Sequence, residues 1–424
     1  MRSFFDKIFL RTNNLDYISE NIKNLTKKTS SKKIFDAINS YSLDSEIRYV
    51  GGCIRKIINK EKVDDIDLAT NLEPKKVCDA LKKNNIKYFE SGIEHGTVTA
   101  IEDGYRFEIT SLRKDILTDG RHAKVEFSSD WKADALRRDF TINAIYSDKD
   151  GNLFDPFNGK KDLEQGIVTF IGEASQRIQE DYLRILRYLR FFSNYSKQPH
   201  KLDVIKALKT NIGGVSKLSK ERLLDELRKL ITINKLENLL TDKLSLEIIL
   251  IIFPELKKIK NFLKLDKVKK DLLKEKDFIL LISLIIIDDS DNADYFLYKY
   301  KISKKNHKRI KIIDNFYKEK INTKTFTKNN MDRVFYYHGK QAIIDILIFK
   351  IFKSKKIDDN LIELVAHYQS QEVPKMPISG DFLIKKYEVP AGKKLGEKLK
   401  LIEKKWVNNN FRISEQQVED IAKN

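Results

Sequence analysis

The sequence of 424 residues predicts an α+β protein, in which a mixed head is followed by a long, basic, helical remainder. Before about residue 165, runs rich in β-branched residues are separated by turn dipeptides such as Asp150-Gly151, a pattern typical of hairpins. After that point Leu, Ile and Phe recur at three- and four-residue intervals with Lys between them, which predicts amphipathic helices. Because the chain is too long for one hydrophobic core, we expect several domains.

The head is predicted from five β-type runs. In chain order they are IRYVGG, VDDIDLAT, GTVTAIEDGYRFEITSLR, TINAIYSD and GIVTFIG. The third run is divided by Asp103-Gly104 and therefore predicts a β-hairpin. The changes of pattern predict five domains: a helical lead-in, the head, and three successive helical segments, with bounds 1–45, 46–165, 166–245, 246–330 and 331–424.

The helical part begins with a segment that combines an apolar face with charge. EDYLRILRYLRFF, residues 180–192, predicts one helix that carries an acid and three arginines: Asp181, Arg184, Arg187 and Arg190. Side chains three or four residues apart are neighbours on a helix, so intrahelical ion pairs are one explanation. Farther on, FILLISLIII predicts a buried helix, since it is too short to span a bilayer. Gly392 and Gly396 predict a loop before a terminal amphipathic helix.

The composition favours an anionic partner. The net charge is +19 and the pI is about 9.4, which indicates nucleic acid first and a membrane surface second, although a genome biased towards Lys, Ile and Asn also raises the charge. Cys53 and Cys78 lack paired spacing, which argues against disulfides and a cysteine zinc site and favours a reducing cytoplasm. The N-terminus has no secretory signal, while a mitochondrial-type presequence stays open. We expect a soluble protein.

Two glycines after the first predicted strand mark a candidate phosphate site. Gly51 and Gly52 let the backbone approach a ligand closely, and amides at a helix start suit phosphate. Arg55, one turn later, could pair with a triphosphate. An ordinary turn explains the same pattern.

The second predicted strand carries the candidate metal ligands. Asp65 and Asp67 flank Ile66, and the period of two places both carboxylates on one face, with Asp64 on the other. A Mg²⁺ ion that bridges the pair and substrate phosphates would neutralise them. Glu108 on the predicted hairpin is a candidate third carboxylate for nucleotidyl transfer, and a solvent-facing role is the alternative.

A strand, Gly-Gly-x-x-Arg, a helix and Asp-x-Asp together resemble the nucleotidyltransferase superfamily of DNA polymerase β. RRDFTINA is similar to the second motif of class II tRNA nucleotidyltransferases and bacterial poly(A) polymerases, and LFDPFNGKKDLEQGIVTFIG to the third. EDYLRILRYLRFF resembles the fourth motif and LSKERLLDELRKL the fifth. All five occur in order between residues 49 and 230. The resemblance implies a polymerase β-like catalytic head, followed by a helical neck, body and tail.

The resemblance implies template-independent, Mg²⁺-dependent addition of CCA to the 3′ end of tRNA from CTP and ATP. Protein must then select the base. Cytosine and adenine both present an amino donor beside a ring-nitrogen acceptor, whereas guanine and uracil present a carbonyl beside a ring N–H. An ionised Asp only accepts and an Arg only donates, so a wrong base leaves buried groups unpaired at about 1–3 kcal/mol each. We therefore predict that Asp181 and Arg184 recognise the base.

Other motif positions are predicted to bind the rest of the nucleotide. Arg138 would hold the triphosphate or ribose, while Asp139 and Asn143 would contact the sugar. A salt bridge to a neighbouring arginine explains Asp139 equally well. Arg187 and Arg190 would bind phosphates or stabilise the site through other side chains. Arg190 points in a different direction from Arg184 on the predicted helix, so its assignment is the weaker one.

A polar segment between the first two motifs bears on the choice among family members. ITSLRKDILTDGRHAKVEF resembles the flexible loop of full CCA-adding enzymes of the mitochondrial and alphaproteobacterial type, which implies loop roles for Arg113, Asp119, Gly120 and Arg121. The alternatives are a CC-adding or A-adding enzyme, a poly(A) polymerase, a non-catalytic RNA-binding protein, and a membrane-surface protein. We expect the basic helices to bind the acceptor arm and elbow of tRNA in the cytoplasm, with no membrane or protein partner implied.

Overall fold

The computed structural model describes residues 5–117, 124–232, 235–274, 276–318 and 328–423, and it has the α+β class that the sequence predicts. The chain divides into two compact units, Met1–Ile252 and Phe253–Asn424. The finer division into five domains stays a prediction. Within the described ranges, no helix is long and apolar enough to cross a membrane.

The strands belong to the first unit. In chain order they are β1 Ile47–Val50, β2 Ile66–Thr70, β3 Lys87–Gly92, β4 Thr97–Glu102, β5 Tyr105–Ser111, β6 Arg113–Leu117, β7 Lys124–Phe127, β8 Tyr146–Ser147 and β9 Leu153–Phe154. Among the described residues, seven of them form one sheet in the order β3-β4-β5-β2-β1-β8-β9. β2 and β5 pair in parallel, and the other neighbours in this sheet are antiparallel. The hairpin predicted at Asp103-Gly104 joins β4 and β5.

Helices surround this sheet and continue after it. Those of the first unit are α1 Phe5–Lys28, α2 Ser31–Asn39, α3 Gly52–Ile58, α4 Pro74–Lys83, α5 Trp131–Leu136, α6 Gly159–Gln165, α7 Ala174–Glu180, α8 Leu183–Tyr195, α9 Leu202–Asn211, α10 Lys220–Ile231, α11 Leu236–Thr241 and α12 Lys243–Ile252. The first two helices are anchored to the sheet, because the buried hydroxyl of Tyr49 on β1 hydrogen-bonds both Thr26 and Ser31. The helical lead-in therefore contributes to the core of this unit.

The second unit is helical throughout its described residues. Its α-helices are α13 Lys267–Leu273, α14 Phe278–Ile286, α15 Asn292–Tyr300, α16 Lys304–Lys318, α17 Lys328–Lys353, α18 Asp359–Ser370, α19 Gly380–Tyr387, α20 Lys393–Asn408 and α21 Glu415–Lys423. Every residue of α14 is buried, as its continuous apolar run predicts. Arg309 on α16 pairs with the fully buried carboxylate of Asp345 on α17, which compensates the burial of that charge.

Three local predictions are wrong. Thr141–Asn143, predicted as part of a strand, forms a 3₁₀ turn, because Asp139 accepts hydrogen bonds from the Phe140 amide and the Asn143 side chain. GIVTFIG forms no strand and contributes an isolated bridge between Phe170 and Phe140. Gly396 lies inside α20 rather than in a loop, and α21 follows, so that helix is not terminal.

Two features of the sheet position the site. Gly51 ends β1 with φ 65° and ψ −110°, a conformation that L side chains rarely adopt, and it turns the chain directly into α3. The parallel register of β2 and β5 places Asp67 beside Glu108 and the buried Ile66 beside the buried Phe107. Polar side chains therefore share the open face of the sheet next to the start of α3.

Candidate active site

A cavity of about 680 Å³ brings together all nine residues predicted to bind nucleotide and both predicted metal ligands. Three residues that the sequence analysis did not select also line it: Lys56, Phe191 and Lys229. Glu108 is absent from its lining among the described residues and lies instead in a neighbouring cavity of about 520 Å³, which shares Asp65 and Asp67 with the first. The two carboxylates therefore lie between two cavities.

Asp65, Asp67 and Glu108 place several negative charges close together where the two cavities meet. Burial raises the pKa of Asp67, and the nearby charge of Glu108 raises it further, while Arg138 opposes both. Asp64, which alternation placed on the other face, lines the second cavity with Asp65 and pairs with Lys56 at 3.0 Å. β2 begins only at Ile66, so Asp64 and Asp65 both precede the strand, and its alternation does not fix the direction of either side chain.

The donor set fits a divalent cation that substrate helps to bind. Among the described residues, no three His, Cys, Asp or Glu side chains are close enough to hold a metal by themselves. Mg²⁺ is commonly held by one or two carboxylates plus phosphates and waters, which Asp65 and Asp67 satisfy. A Cβ at Gly52 would lie 3.5 Å from Asp67 Oδ2, so glycine at the start of α3 leaves the space that a phosphate beside this carboxylate needs.

Arg55 and Asn143 are buried residues in the lining of the first cavity. Arg55 is buried, and its Nη1 donates to Asn143 Oδ1. Its guanidinium carbon lies 4.8 Å from the centroid of the Phe191 ring, and that of Arg190 lies 4.4 Å from the same ring. Such cation–π contacts hold arginines that have few other partners. Within the described residues, Arg55 Nε is buried and makes no hydrogen bond, so it can donate to a ligand.

Asp139 links the head to α8. Arg187 Nε donates to Asp139 Oδ2 at 2.7 Å, and Asn143 Nδ2 donates to Oδ1 at 2.9 Å. Burial alone would raise the pKa of Asp139, but the charge of Arg187 and these hydrogen bonds outweigh it and lower the pKa to about 2. The structure thus contains the salt bridge that the sequence analysis gave as the alternative for Asp139.

The predicted single helix over 180–192 is wrong, because the chain breaks at Asp181. Helix α7 ends at Glu180 and α8 begins at Leu183, and Asp181 has an extended backbone with φ −154° and ψ 104°. Its Oδ1 accepts from the Leu183 amide at 3.2 Å, a local side-chain-to-backbone hydrogen bond of the kind by which Asp competes with a continuous helix. Asp181 therefore precedes the helix that carries Arg184.

Asp181 and Arg184 line the same cavity but are held by different partners. Arg222 on α10 donates to Asp181 Oδ2 at 2.7 Å. Arg184 Nη1 donates at 2.6 Å both to Glu180 and to the carbonyl of Arg177. The two predicted base-recognition groups are thus held by different helices, Asp181 by α10 and Arg184 by α7, and the structure shows no ion pair between them.

The sequence analysis missed the carboxylates that hold the arginines. Glu226 on α10 is 2% exposed and accepts from Arg190 Nε at 2.5 Å. Asp134 is 1% exposed and accepts from the Tyr146 hydroxyl at 2.7 Å and from Arg138 Nη2 at 3.2 Å. For Asp134 the available signal was the spacing, since Asp134 lies on α5 and precedes Arg138, just after that helix, by four residues.

The predicted flexible loop is described only at its ends. Arg113 lies in β6, which pairs with β7, and Arg113 Nη1 donates to the carbonyl of His95, so this residue belongs to a strand and not to a loop. Strand pairing fixes its backbone, which the turn-prone composition of the segment obscured. Asp119, Gly120 and Arg121 lie outside the described residues.

Comparisons with known proteins agree with this geometry. Residues 47–169 match the family described as the Poly A polymerase head domain, and residues 271–422 match tRNA nucleotidyltransferase domain 2 putative. The fold is similar to the CCA-adding enzyme of Bacillus stearothermophilus solved in complex with CTP, with a TM-score of 0.65, 21% identity, and coverage of 92% of this chain and 95% of that chain. The Thermotoga maritima CCA-adding enzyme complexed with tRNA has a TM-score of 0.54 at 20% identity and covers 92% of this chain and 93% of its own.

Curated relatives match over most of the length. The chain is 34% identical over 392 residues to CCA tRNA nucleotidyltransferase 1, mitochondrial, of Homo sapiens, covering 88% of this chain and 85% of the human protein. It is 31% identical over 341 residues to the CCA-adding enzyme of Staphylococcus haemolyticus, covering 79% of each chain. With this identity extending over most of both relatives, the chain belongs to the class II CCA tRNA nucleotidyltransferase family.

Proposed function

We propose that this chain adds CCA to the 3′ end of tRNA, using CTP twice and then ATP and releasing pyrophosphate. The observation that carries the proposal is the first cavity, in which cationic side chains meet the two carboxylates proposed to hold the metal, in a member of this family. In each step an O–P bond forms between the acceptor 3′-oxygen and the α-phosphorus. The bond between the α- and β-phosphates breaks, pyrophosphate leaves, and the hydroxyl proton is released.

The cationic side chains of the cavity are suited to bind the triphosphate. Arg55 lies on α3, Lys229 on α10, and Arg138 just after α5. Arg138 is oriented by Asp134 and by the Tyr146 hydroxyl, to which its Nε donates at 2.9 Å. A guanidinium fixed in this way binds phosphate without first losing side-chain freedom, which favours both affinity and in-line geometry.

Asp65 and Asp67 are proposed to hold Mg²⁺ together with the substrate phosphates. When bound, this ion would polarise the phosphate and favour ionisation of the acceptor hydroxyl. Glu108 lies beside Asp67 in the sheet, and its charge adds to the negative field that attracts a cation. We therefore propose Glu108 as the third carboxylate of the catalytic group, because it lies next to Asp67 in the sheet.

Asp181 and Arg184 are proposed to select the base. Asp181 offers an acceptor and Arg184 retains Nε and Nη2 as donors, which matches the edges shared by cytosine and adenine. Guanine and uracil would place a carbonyl against the carboxylate and an N–H against the guanidinium. Each such mismatch leaves buried groups unpaired, at about 1–3 kcal/mol each.

We propose the cytoplasm as the cellular location. Two buried, unpaired cysteines, Cys53 and Cys78, suit a reducing compartment. The human relative carries the word mitochondrial in its name, so mitochondria are the alternative. Fractionation of the source cells with antibodies to this chain would distinguish the two compartments.

Product length tests the proposed reaction. A tRNA transcript that ends at the discriminator base would be incubated with Mg²⁺ and CTP, ATP, both, GTP or UTP, and products sized on a sequencing gel. We expect two added residues with CTP alone and three with CTP and ATP. A stop at two residues with both nucleotides would make this a CC-adding enzyme, and a long ATP ladder a poly(A) polymerase. No extension at all would favour the RNA-binding alternative.

A further inference from the structure

The second cavity is lined by none of the nine residues proposed to bind the incoming CTP or ATP, yet it borders the proposed metal-binding carboxylates. It has a volume of about 520 Å³ and shares Asp65 and Asp67 with the first cavity. Glu108, Gly104 in the β4–β5 turn, and Tyr105 and Arg106 at the start of β5 also line it. A volume in this range accommodates a small ligand or a single nucleotide.

The two cavities differ in charge. Arginines and lysines outnumber acids in the lining of the first, which suits the several charges of a triphosphate. In the second, four carboxylates face a single cation, the guanidinium of Arg106. A polyanion would be repelled there, whereas a nucleotide with one phosphate and a neutral hydroxyl at its reacting end fits one arginine beside a carboxylate face.

Arg106 is placed to bind that phosphate. It lies two residues before Glu108 on β5, so both side chains share the open face of the sheet. Arg106 also lines the second cavity together with Asp65 and Asp67. Arg106 is exposed, and no ion pair or hydrogen bond joins its side chain to another described residue. Its charge is therefore available to a ligand beside the metal-binding pair.

We propose that the second cavity holds the 3′-terminal nucleotide of the RNA acceptor and that Arg106 binds the phosphate that joins this nucleotide to the preceding one. This rests on the proposed CCA addition. In-line transfer requires the acceptor oxygen to approach the α-phosphorus on the side opposite the leaving pyrophosphate. With the triphosphate in the first cavity and the carboxylates at the boundary, the acceptor enters from the second.

Because tRNA and CTP would bind in different cavities, a change in the second cavity should alter the KM for tRNA and not the KM for CTP. In Arg106→Gln, the KM for tRNA rises roughly tenfold, the loss expected for one charge-assisted hydrogen bond, while the KM for CTP stays within about twofold. Arg106→Lys restores part of the loss. Lys87→Gln is the matched control: Lys87 pairs with Ile101, and Ile101 with Arg106, so it is exposed on the same row of the sheet but outside the cavity. We expect both KM values of Lys87→Gln to equal those of the wild type.

A cross-linking measurement supplies a readout independent of turnover. A tRNA whose 3′-terminal residue is 4-thiouridine would be irradiated with the full-length protein, and the linked peptide identified by mass spectrometry. We expect the cross-link between residues 102 and 108. An unchanged tRNA KM in Arg106→Gln, an equal rise in Lys87→Gln, or a cross-link elsewhere would overturn the proposal. Failure of the wild type to extend tRNA would instead refute the proposed function.

Discussion

Replacement of Glu180 by Gln tests whether Arg184 selects the base because it is held in place. Glu180 Oε2 accepts from Arg184 Nη1 and Arg177 Nη1, each at 2.6 Å. The side chains of Arg177 and Arg184 are each 12% exposed, and that of Glu180 is 26% exposed. The carboxylate thus separates two partly buried positive charges. Burial lowers the pKa of Arg177, and the charge of Arg184 lowers it further, which shows how closely these cations approach each other.

The magnitude follows from these contacts. A hydrogen bond to a charged group contributes about 1.5–3 kcal/mol and a neutral one about 1 kcal/mol, so Glu180→Gln weakens the hold on Arg184 by about 1–2 kcal/mol. The neutral amide also leaves the two arginines to repel each other. Because about 1.4 kcal/mol corresponds to a factor of ten, we expect kcat/KM for CTP and ATP to fall by roughly five- to thirtyfold.

Single-nucleotide incorporation into tRNA would be measured with CTP, ATP, UTP and GTP. The ratio of kcat/KM for CTP to that for UTP should fall together with the rate, because a mobile Arg184 no longer penalises a wrong base. Glu173→Gln is the control, since Glu173 caps α7 through the amides of Ser175 and Gln176 and does not line the cavity. If Glu180→Gln keeps the CTP:UTP ratio of the wild type, Arg184 does not act as proposed.

Three other changes address the metal ligands, α8 and pH. Asp65→Asn and Asp67→Asn should each lower Mg²⁺-dependent incorporation by at least about a thousandfold while equilibrium CTP binding persists, since they remove charge at the reacting centre; near-normal incorporation would refute the metal assignment. Arg190→Met should lower the free energy of unfolding by about 3–5 kcal/mol, because it leaves the buried Glu226 unpaired, and urea denaturation would show no such loss if that pair is unimportant. Asp139 has a folded pKa of about 2, below its ordinary 3.8, so its stabilisation of about 2 kcal/mol is present above about pH 4 and is lost as the pH falls towards 2. The stability difference between wild type and Asp139→Asn should therefore shrink from about pH 5 to pH 2, and a constant difference would contradict this assignment.

Periodicity and motif order predicted most of the architecture. Along β5 the buried Phe107 and Ile109 alternate with the exposed Glu108, as the period of two of a half-buried strand requires. The unbroken apolar run of α14 likewise indicated full burial. Residues chosen from three of the five motifs then line one cavity, since each of these motifs follows or precedes an element whose position the fold fixes.

The identity of each ion-pair partner could not be predicted in the same way. Arg222 lies 41 residues from Asp181, and Arg187 lies 48 residues from Asp139, so both pairs depend on how distant elements pack. The local pattern also predicted one continuous helix through Asp181, where the chain breaks and the Asp181 carboxylate accepts from the Leu183 amide instead. The sequence signals which residues carry charge, whereas tertiary packing decides which charges meet.

The three arginines of α8 each form an ion pair with a different part of the fold. Arg184 pairs with Glu180 on α7, Arg187 with Asp139 in the head, and Arg190 with Glu226 on α10. Side-chain rotation to accommodate a wrong base would break a charge-assisted bond, at about 1.5–3 kcal/mol. The helix therefore presents Arg184 in a fixed position. Because fixed donors cannot adapt to the edges of guanine or uracil, we infer that discrimination arises from this rigidity as much as from the hydrogen bonds themselves.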